Sequence, residues 1–437
     1  MKEAIAMTLL DRMHHPEKYW RIFIQWGLLG ALMGILGGLL GAFFHHALSF
    51  VTSLRQGHPW VILLLPVGGL LTVGLYRVFR MPDNRGTNEI IDAILNEEPV
   101  NPLVAPVIFI ATSITHFFGG SAGREGAALQ LGGSVASTLG RALRLKENER
   151  TVLIMSGMSA VFAGLFGTPL TATLFTMEFA SVGTIFSPAL LPCYLAAFTA
   201  SRVSASMGVH AETVMLDQAV RFTATTNWQV LVLAVAVGLL GIAMCCVFHE
   251  CEHLVAKMFP NAWLRIAVGA AVVTVLTLLV GDQRYNGAGM DMALAAVDGE
   301  ADWYDFILKL IFTAVTLSAG FKGGEIVPTF CIGATFGCTL GGLLGLDPGI
   351  AAALGLVGLF CSVTNSPITA IILSVEMFGS TNLYLFAFVC VIAFVLSGNW
   401  GLYASQIIQF SKARLVKKYT NDSKTSSLEG CSSLIDE

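Results

Sequence analysis

The sequence predicts an all-α, polytopic membrane protein built from two inverted-topology repeats of short and tilted helices. Three observations carry this. The 437 residues have a mean hydropathy of +0.72, with 55% hydrophobic and 12% charged residues, far outside the averages for a soluble globular domain. No Asp, Glu, Lys or Arg falls between Arg21 and Arg55, and Glu178 is the one such residue between Arg150 and Arg202; both runs exceed the ~20 residues that cross a bilayer. Finally, three local patterns in the first half recur in the same order about 200 positions later.

Taken in order, residues 1–20 are polar, with Lys2, Arg12 and Lys18, and read as a cytoplasmic lead-in without a signal-peptide pattern. Residues 22–51 and 60–79 are long enough to span, tilted if necessary. The next apolar stretches, 103–118, 125–139, 152–166, 169–179 and 185–200, are short or cut by Gly and Pro. Short, interrupted helices are expected where helix ends meet at a site inside the membrane.

The repeat sets the domain plan. Asn84-Arg85-Gly86-Thr87-Asn88 matches Asn286-Gly287-Ala288-Gly289, the stretch 119–133 matches 319–328, and Thr168-Pro169-Leu170-Thr171-Ala172 through Glu178 matches Ser366-Pro367-Ile368-Thr369-Ala370 through Glu376. The expected organisation is a first transmembrane repeat over 21–207, a linker over 208–226, a second repeat over 227–411, and a polar tail over 412–437. Arg77, Arg80 and Arg85, the cluster Arg141, Arg144, Lys146 and Arg150, and the basic tail put both termini in the cytoplasm by the positive-inside rule. The net charge of -4 gives no sign of a nucleic-acid partner. The nine cysteines include no Cys-x-x-Cys pair and read as small buried hydrophobes.

The functional centre is expected at 119–133, where Arg124 and Glu125 lie between apolar runs and an intramembrane charge is costly enough to suggest function. Glycines 119, 120, 123 and 126 break one helix, and a new one can start at Glu125. A helix start inside a membrane offers unpaired N–H groups to an anion, and Glu125 carries its own carboxylate to that place. The bland alternative is a local Arg124–Glu125 ion pair, but sequence neighbours rarely face each other on a helix. Arg124 is read as an anchor to another carboxylate or to carbonyls. Glu325, behind Gly323 and Gly324, is the second repeat's counterpart, either a site carboxyl or a helix cap. Glu178 and Glu376 read as structural, bonding nearby helix starts. Tyr403 alone reads as an interfacial anchor, and His45, His46 and His116 receive no role.

His249-Glu250-Cys251-Glu252-His253 matches the zinc-protease pattern His-Glu-x-x-His. A third zinc ligand is needed, and none stands out, so a metalloprotease is a distant alternative and neither metal nor cofactor is expected.

These motifs resemble the CLC family of anion channels and proton-coupled anion exchangers. Gly123-Arg124-Glu125-Gly126 is similar to the family's gating-glutamate element, with Ala127 in place of its proline; Gly324 to Pro328 is similar to its Gly-x-Phe-x-Pro element; and Tyr403 falls where its anion-coordinating tyrosine lies. The family's Gly-Ser-Gly-Ile-Pro is here Arg85-Gly86-Thr87-Asn88-Glu89-Ile90-Ile91, which resembles the bacterial fluoride-exporting branch, as does Glu325. That branch commonly carries threonines where this chain has Ala127 and Val327.

The resemblance implies a transporter and not an enzyme, a homodimer in the cell membrane, and proton-coupled fluoride export. It assigns gating and proton transfer to Glu125. It assigns anion binding to Gly126, Ala127, Glu325, Ile326, Val327, Tyr403, Thr87 and Asn88, with Arg124, Gly123 and Gly324 shaping the site. Chloride exchange or passive chloride conduction is the alternative. The position of the chloride exchangers' inner proton-transfer glutamate is Phe179 here, so a proton would pass through Glu125 with help from Glu325.

Overall fold

The computed structural model describes residues 16–216, 219–220, 223–409 and 412. The charges of the lead-in at Lys2 and Arg12, and the tail beyond Lys412, lie outside the described residues, as do 217–218 and 221–222 of the linker. The described residues form sixteen α-helices, and the first eight and second eight follow the same sequence of long, short and broken elements.

In the first set, α1 (Pro16–Gly57) and α2 (Leu65–Val78) are followed by short α3 (Thr87–Leu95), then α4 (Val104–Phe118), α5 (Glu125–Ala142), α6 (Glu147–Phe166), α7 (Pro169–Glu178) and α8 (Leu190–Ser206). In the second, α9 (Ala224–Met258) and α10 (Ala262–Val280) precede short α11 (Met290–Val297), then α12 (Asp305–Ser318), α13 (Ile326–Leu344), α14 (Pro348–Thr364), α15 (Pro367–Phe378) and α16 (Leu383–Leu396). Among the described residues six helices are long and apolar enough to cross a membrane. The 42 residues of α1 reach roughly 60 Å at 1.5 Å per residue, about twice a hydrocarbon core, so α1 must tilt or protrude.

Gly and Pro place the breaks that the sequence predicts. Gly119, at φ 88°, ends α4 in the left-handed region that favours glycine. Pro169 and Pro367 start α7 and α15, where a missing N–H costs nothing. Within each half, small residues bring two helices into backbone contact. A Cβ on Gly132 of α5 would lie 2.2 Å from the Gly157 carbonyl of α6, and a Cβ on Gly333 of α13 would lie 2.5 Å from the Gly355 carbonyl of α14. The same close approach thus occurs at equivalent places in both halves.

Two reciprocal contacts join the halves. Gly123 and Gly324 form an antiparallel bridge, each N–H donating to the other's carbonyl at 2.7 and 2.9 Å. Glu178 caps the start of α15, accepting from Ile368 N (3.2 Å), Thr369 N (2.8 Å) and Thr369 Oγ1 (2.6 Å). Glu376 caps α7 in return, accepting from Leu170 N (2.9 Å) and Thr171 N (2.8 Å). Equivalent residues that serve each other in this way require a two-fold relation between the halves. The structural role expected for Glu178 and Glu376 is thus met, with a partner choice that neither half alone discloses.

Besides the Gly123–Gly324 bridge, a two-stranded parallel pair, β1 (Ser181–Val182) with β2 (Ile407–Ile408), departs from the all-α expectation. It fastens the segment after α16 beside the end of α7.

Candidate functional site

The Gly123–Gly324 bridge sets the starts of α5 and α13 side by side at the centre of the molecule. Glu125 is fully buried at the first position of α5. Its Oε1 accepts from Arg124 N (3.1 Å) and its Oε2 from Val327 N (3.2 Å). The carboxylate therefore occupies the start of the opposite half's helix, where unpaired N–H groups and the helix dipole favour negative charge. No room is left for a side chain on the bridging loop: a Cβ on Gly324 would lie 2.6 Å from Gly126 N and 2.8 Å from Glu125 Oε2, and one on Gly123 would lie 2.2 Å from Glu125 Oε2. Ala127, Ile326 and Val327 are buried around this point.

Thr87 starts α3 behind Gly86 at φ 64°. Its Oγ1 lies 3.0 Å from where a Cβ on Gly126 would stand, so α3 joins the starts of α5 and α13. Asn88 Oδ1 accepts from Ser405 N at 3.1 Å, tying α3 to the segment that carries Tyr403. That segment is held by Leu402 N to Val363 O (2.9 Å) and by Gln406 Nε2 to Phe179 O (2.5 Å) and Thr364 O (2.8 Å). Tyr403 is 2% exposed, with its ring edge-on to Phe179 at 6.0 Å. The interfacial-anchor reading of Tyr403 is corrected: the β1–β2 pair and the Gln406 bonds fold its segment inward, into the field of both Glu325 and Glu125. Glu325 is half-buried at the cap position of α13 and interacts electrostatically with Glu125, Glu252 and Lys322.

Arg124 pairs with a carboxylate distant in sequence. One guanidinium nitrogen donates to Glu212 Oε1 at 2.5 Å, another meets His45 Nδ1 at 3.1 Å, and the plane lies over Phe166 at 5.2 Å. His45, read without a role, therefore has one. His249 is also accounted for by structure, with Nε2 on Gly401 O at 2.9 Å. That contact braces the Tyr403 segment. Among the described residues no group of three or more His, Cys, Asp or Glu could hold a metal.

Sequence reasoning missed Lys309. It is fully buried on α12 and donates to Ser121 Oγ (3.0 Å), Tyr285 O (3.1 Å) and Gly287 O (2.8 Å), stitching the break before Glu125 to the second half. Its signal was visible as one lysine in the apolar run 306–317. Val327 also borders a cavity of about 620 Å³, lined by Arg55, His116, Arg124 and Glu212 among others.

A carboxylate seated on opposed helix starts, inside a two-fold pair of broken helices, is the arrangement that the resemblance implies. The sequence profile described as "Voltage gated chloride channel" matches residues 68–398. The chain belongs to this family, the CLC family. A "Chloride/fluoride channel protein" of Pseudomonas syringae pv. tomato is 34% identical over 395 residues, covering 89% of this chain and 87% of that protein. An "H(+)/Cl(-) exchange transporter ClcA" of Vibrio vulnificus is 26% identical, covering 82% of each. Among solved structures, a CLC-type fluoride/proton antiporter superposes with a TM-score of 0.85 at 36% identity, over 88% of this chain and 98% of that one. A slow cyanobacterial Cl-/H+ antiporter superposes at 0.75 with 19% identity, over 85% and 94%, a likeness of fold. The chain is thus a CLC-type membrane transporter with the CLC architecture of two inverted repeats.

Proposed function

We propose that this CLC protein exports fluoride across the cell membrane in exchange for protons, with both termini in the cytoplasm. The observation that carries the reading is the Glu125 carboxylate resting on Val327 N at the start of the opposite half's helix. That is an anion's place held by a group that can take up a proton and leave. Glu125 acts as gate and proton carrier. The backbone around Gly126, Ala127, Ile326 and Val327 receives the anion, Thr87 and Asn88 contact it from the cytoplasmic side, Tyr403 donates its hydroxyl, and Arg124, Gly123 and Gly324 hold the frame.

Glu325, within electrostatic reach of Glu125 and Tyr403, is the second protonatable partner. Fluoride holds its water tightly, so a site for it must replace hydration with short, charge-assisted hydrogen bonds. Protonated carboxyls and N–H groups at this junction supply them. Phe179 is fully buried and stacks on Phe175 with centroids 4.9 Å apart, leaving no inner carboxyl at that position for protons to use.

The same reading divides the chain into repeats over 21–207 and 227–411 and makes the protein a homodimer. Exposed Leu190, Tyr194 and Phe198 of α8 offer an apolar face for the second copy. Chloride is the competing substrate, favoured by the absence of hydroxyls at Ala127 and Val327. The test is efflux from proteoliposomes loaded in turn with fluoride and chloride, with a pH electrode outside. Fluoride efflux with proton uptake supports export; chloride efflux without proton movement refutes it.

A further inference from the structure

The cavity bordered by Val327 contains four cationic side chains in or near its wall, and three have oxygen partners. Arg124 pairs with Glu212 at 2.5 Å, Arg284 with Asp302 at 2.7 Å and Asp305 at 2.9 Å, and Lys309 bonds three oxygens. Arg55, in the last turn of α1, differs. It is 4% exposed, its Nε and Nη1 are buried without a hydrogen-bond partner, and no carboxylate pairs with it among the described residues. A buried guanidinium left so is strongly unfavourable unless a counter-charge occupies the space it faces.

The place is built. The guanidinium lies over the junction of the two helix breaks, where a Cβ on Gly119 would stand 3.2 Å from Nη1 and one on Gly287 3.4 Å from Nη2. Gly287 N donates to Gly120 O at 2.9 Å and Asn286 Nδ2 to Gly119 O at 2.7 Å, fixing that floor. His116 also lines the cavity; it is 4% exposed, with Nδ1 2.9 Å from Thr112 O. A carbonyl can only accept, so Nδ1 carries the hydrogen. Nε2, buried and without a partner, then offers a lone pair to a water that a small anion keeps.

We propose that Arg55 forms a second anion site, on the outer side of the gate, which holds the transported monovalent anion before or after it passes Glu125. His116 accepts a hydrogen bond from the anion's remaining water. The guanidinium, weakly hydrated and always charged, gathers the ion in a recess that focuses field, within the cavity that Val327 also lines. The site rests on the anion-transport reading for the identity of its ligand, but its geometry does not depend on which halide moves.

The test uses the full-length protein inserted in one orientation in vesicles, with sodium fluoride and sodium chloride each supplied on either side. Arg55→Gln is expected to raise the half-saturating anion concentration on the outer side at least fivefold and leave the cytoplasmic side unchanged, with Arg55→Lys recovering part of the affinity. An unchanged outer value, or an equal change on both sides, overturns the site. If Arg55→Gln fails to fold, the thermal shift induced by sodium fluoride or sodium chloride is compared between wild type and Arg55→Lys; equal shifts overturn the proposal. A wild-type protein that moves chloride and not fluoride refutes fluoride export alone, and the outer-side shift measured with sodium chloride still decides the fate of Arg55.

Discussion

Replacing Glu125 by glutamine tests the plug directly. Both carboxylate oxygens accept a backbone N–H, at 3.1 and 3.2 Å. The amide can accept at one of these positions only and turns its NH2 toward the other donor. Exchanging one charged acceptor for a neutral one forfeits about 1 kcal/mol, and losing the second bond about 1.5–3 kcal/mol more. A total of roughly 3 kcal/mol corresponds to about 100-fold weaker competition with the anion. Glu125→Gln should therefore leave the pathway open to the anion while moving no protons, since an amide does not titrate. Proteoliposomes monitored with a fluoride electrode and a pH electrode give both fluxes in one trace. Proton uptake driven by fluoride efflux at the wild-type ratio in Glu125→Gln would refute the reasoning.

Further outcomes follow from the same geometry. Gly324→Ala puts a methyl 2.6 Å from Gly126 N and should lower anion flux more than tenfold while the protein still elutes as wild type; undiminished flux argues against a site at this junction. Glu178→Gln should destabilise by about 1–3 kcal/mol through loss of a buried helix cap, and more than Glu376→Gln, whose carboxylate accepts fewer bonds and is less buried; thermal melts in the reverse order would contradict the cap assignment. Lys309→Met strands two carbonyl oxygens, those of Tyr285 and Gly287, at about 1–3 kcal/mol each, while Ser121 Oγ keeps Thr313 Oγ1 as a partner; partly offset by no longer burying an ammonium, the loss should lower the melting temperature. A variant as stable as wild type would show that Lys309 does not hold the loops.

Local signals in the sequence located the breaks and long-range ones did not. Gly119, Pro169 and Pro367 constrain their own backbone, so the helix limits near them could be read from residue type alone. The position of Glu125 at a helix start followed likewise, because glycines flank it and an intramembrane charge is conspicuous. What the chain did not disclose was who faces whom. Tyr403 looks like a membrane-surface tyrosine until Gln406 folds its segment onto Phe179 and Thr364, and His45 gains meaning through Arg124, 79 residues away. Lys309 was legible as an oddity in an apolar helix, but its three acceptors come from loops on two different halves.

The exchange of caps between Glu178 and Glu376 bears on how a ribosome and a membrane must handle the nascent chain. The N–H groups of α7 wait for a carboxylate that is translated 206 residues after Leu170, a delay of about 10–40 s at 5–20 residues per second. Until then the early helices enter lipid with a helix start that water or the insertion machinery must satisfy. Neither half can reach its final form alone. Synthesis of the second half completes the first, so a truncated chain ending in the linker leaves a product that should be held at the insertion site or degraded, and co-expressed halves should rescue one another.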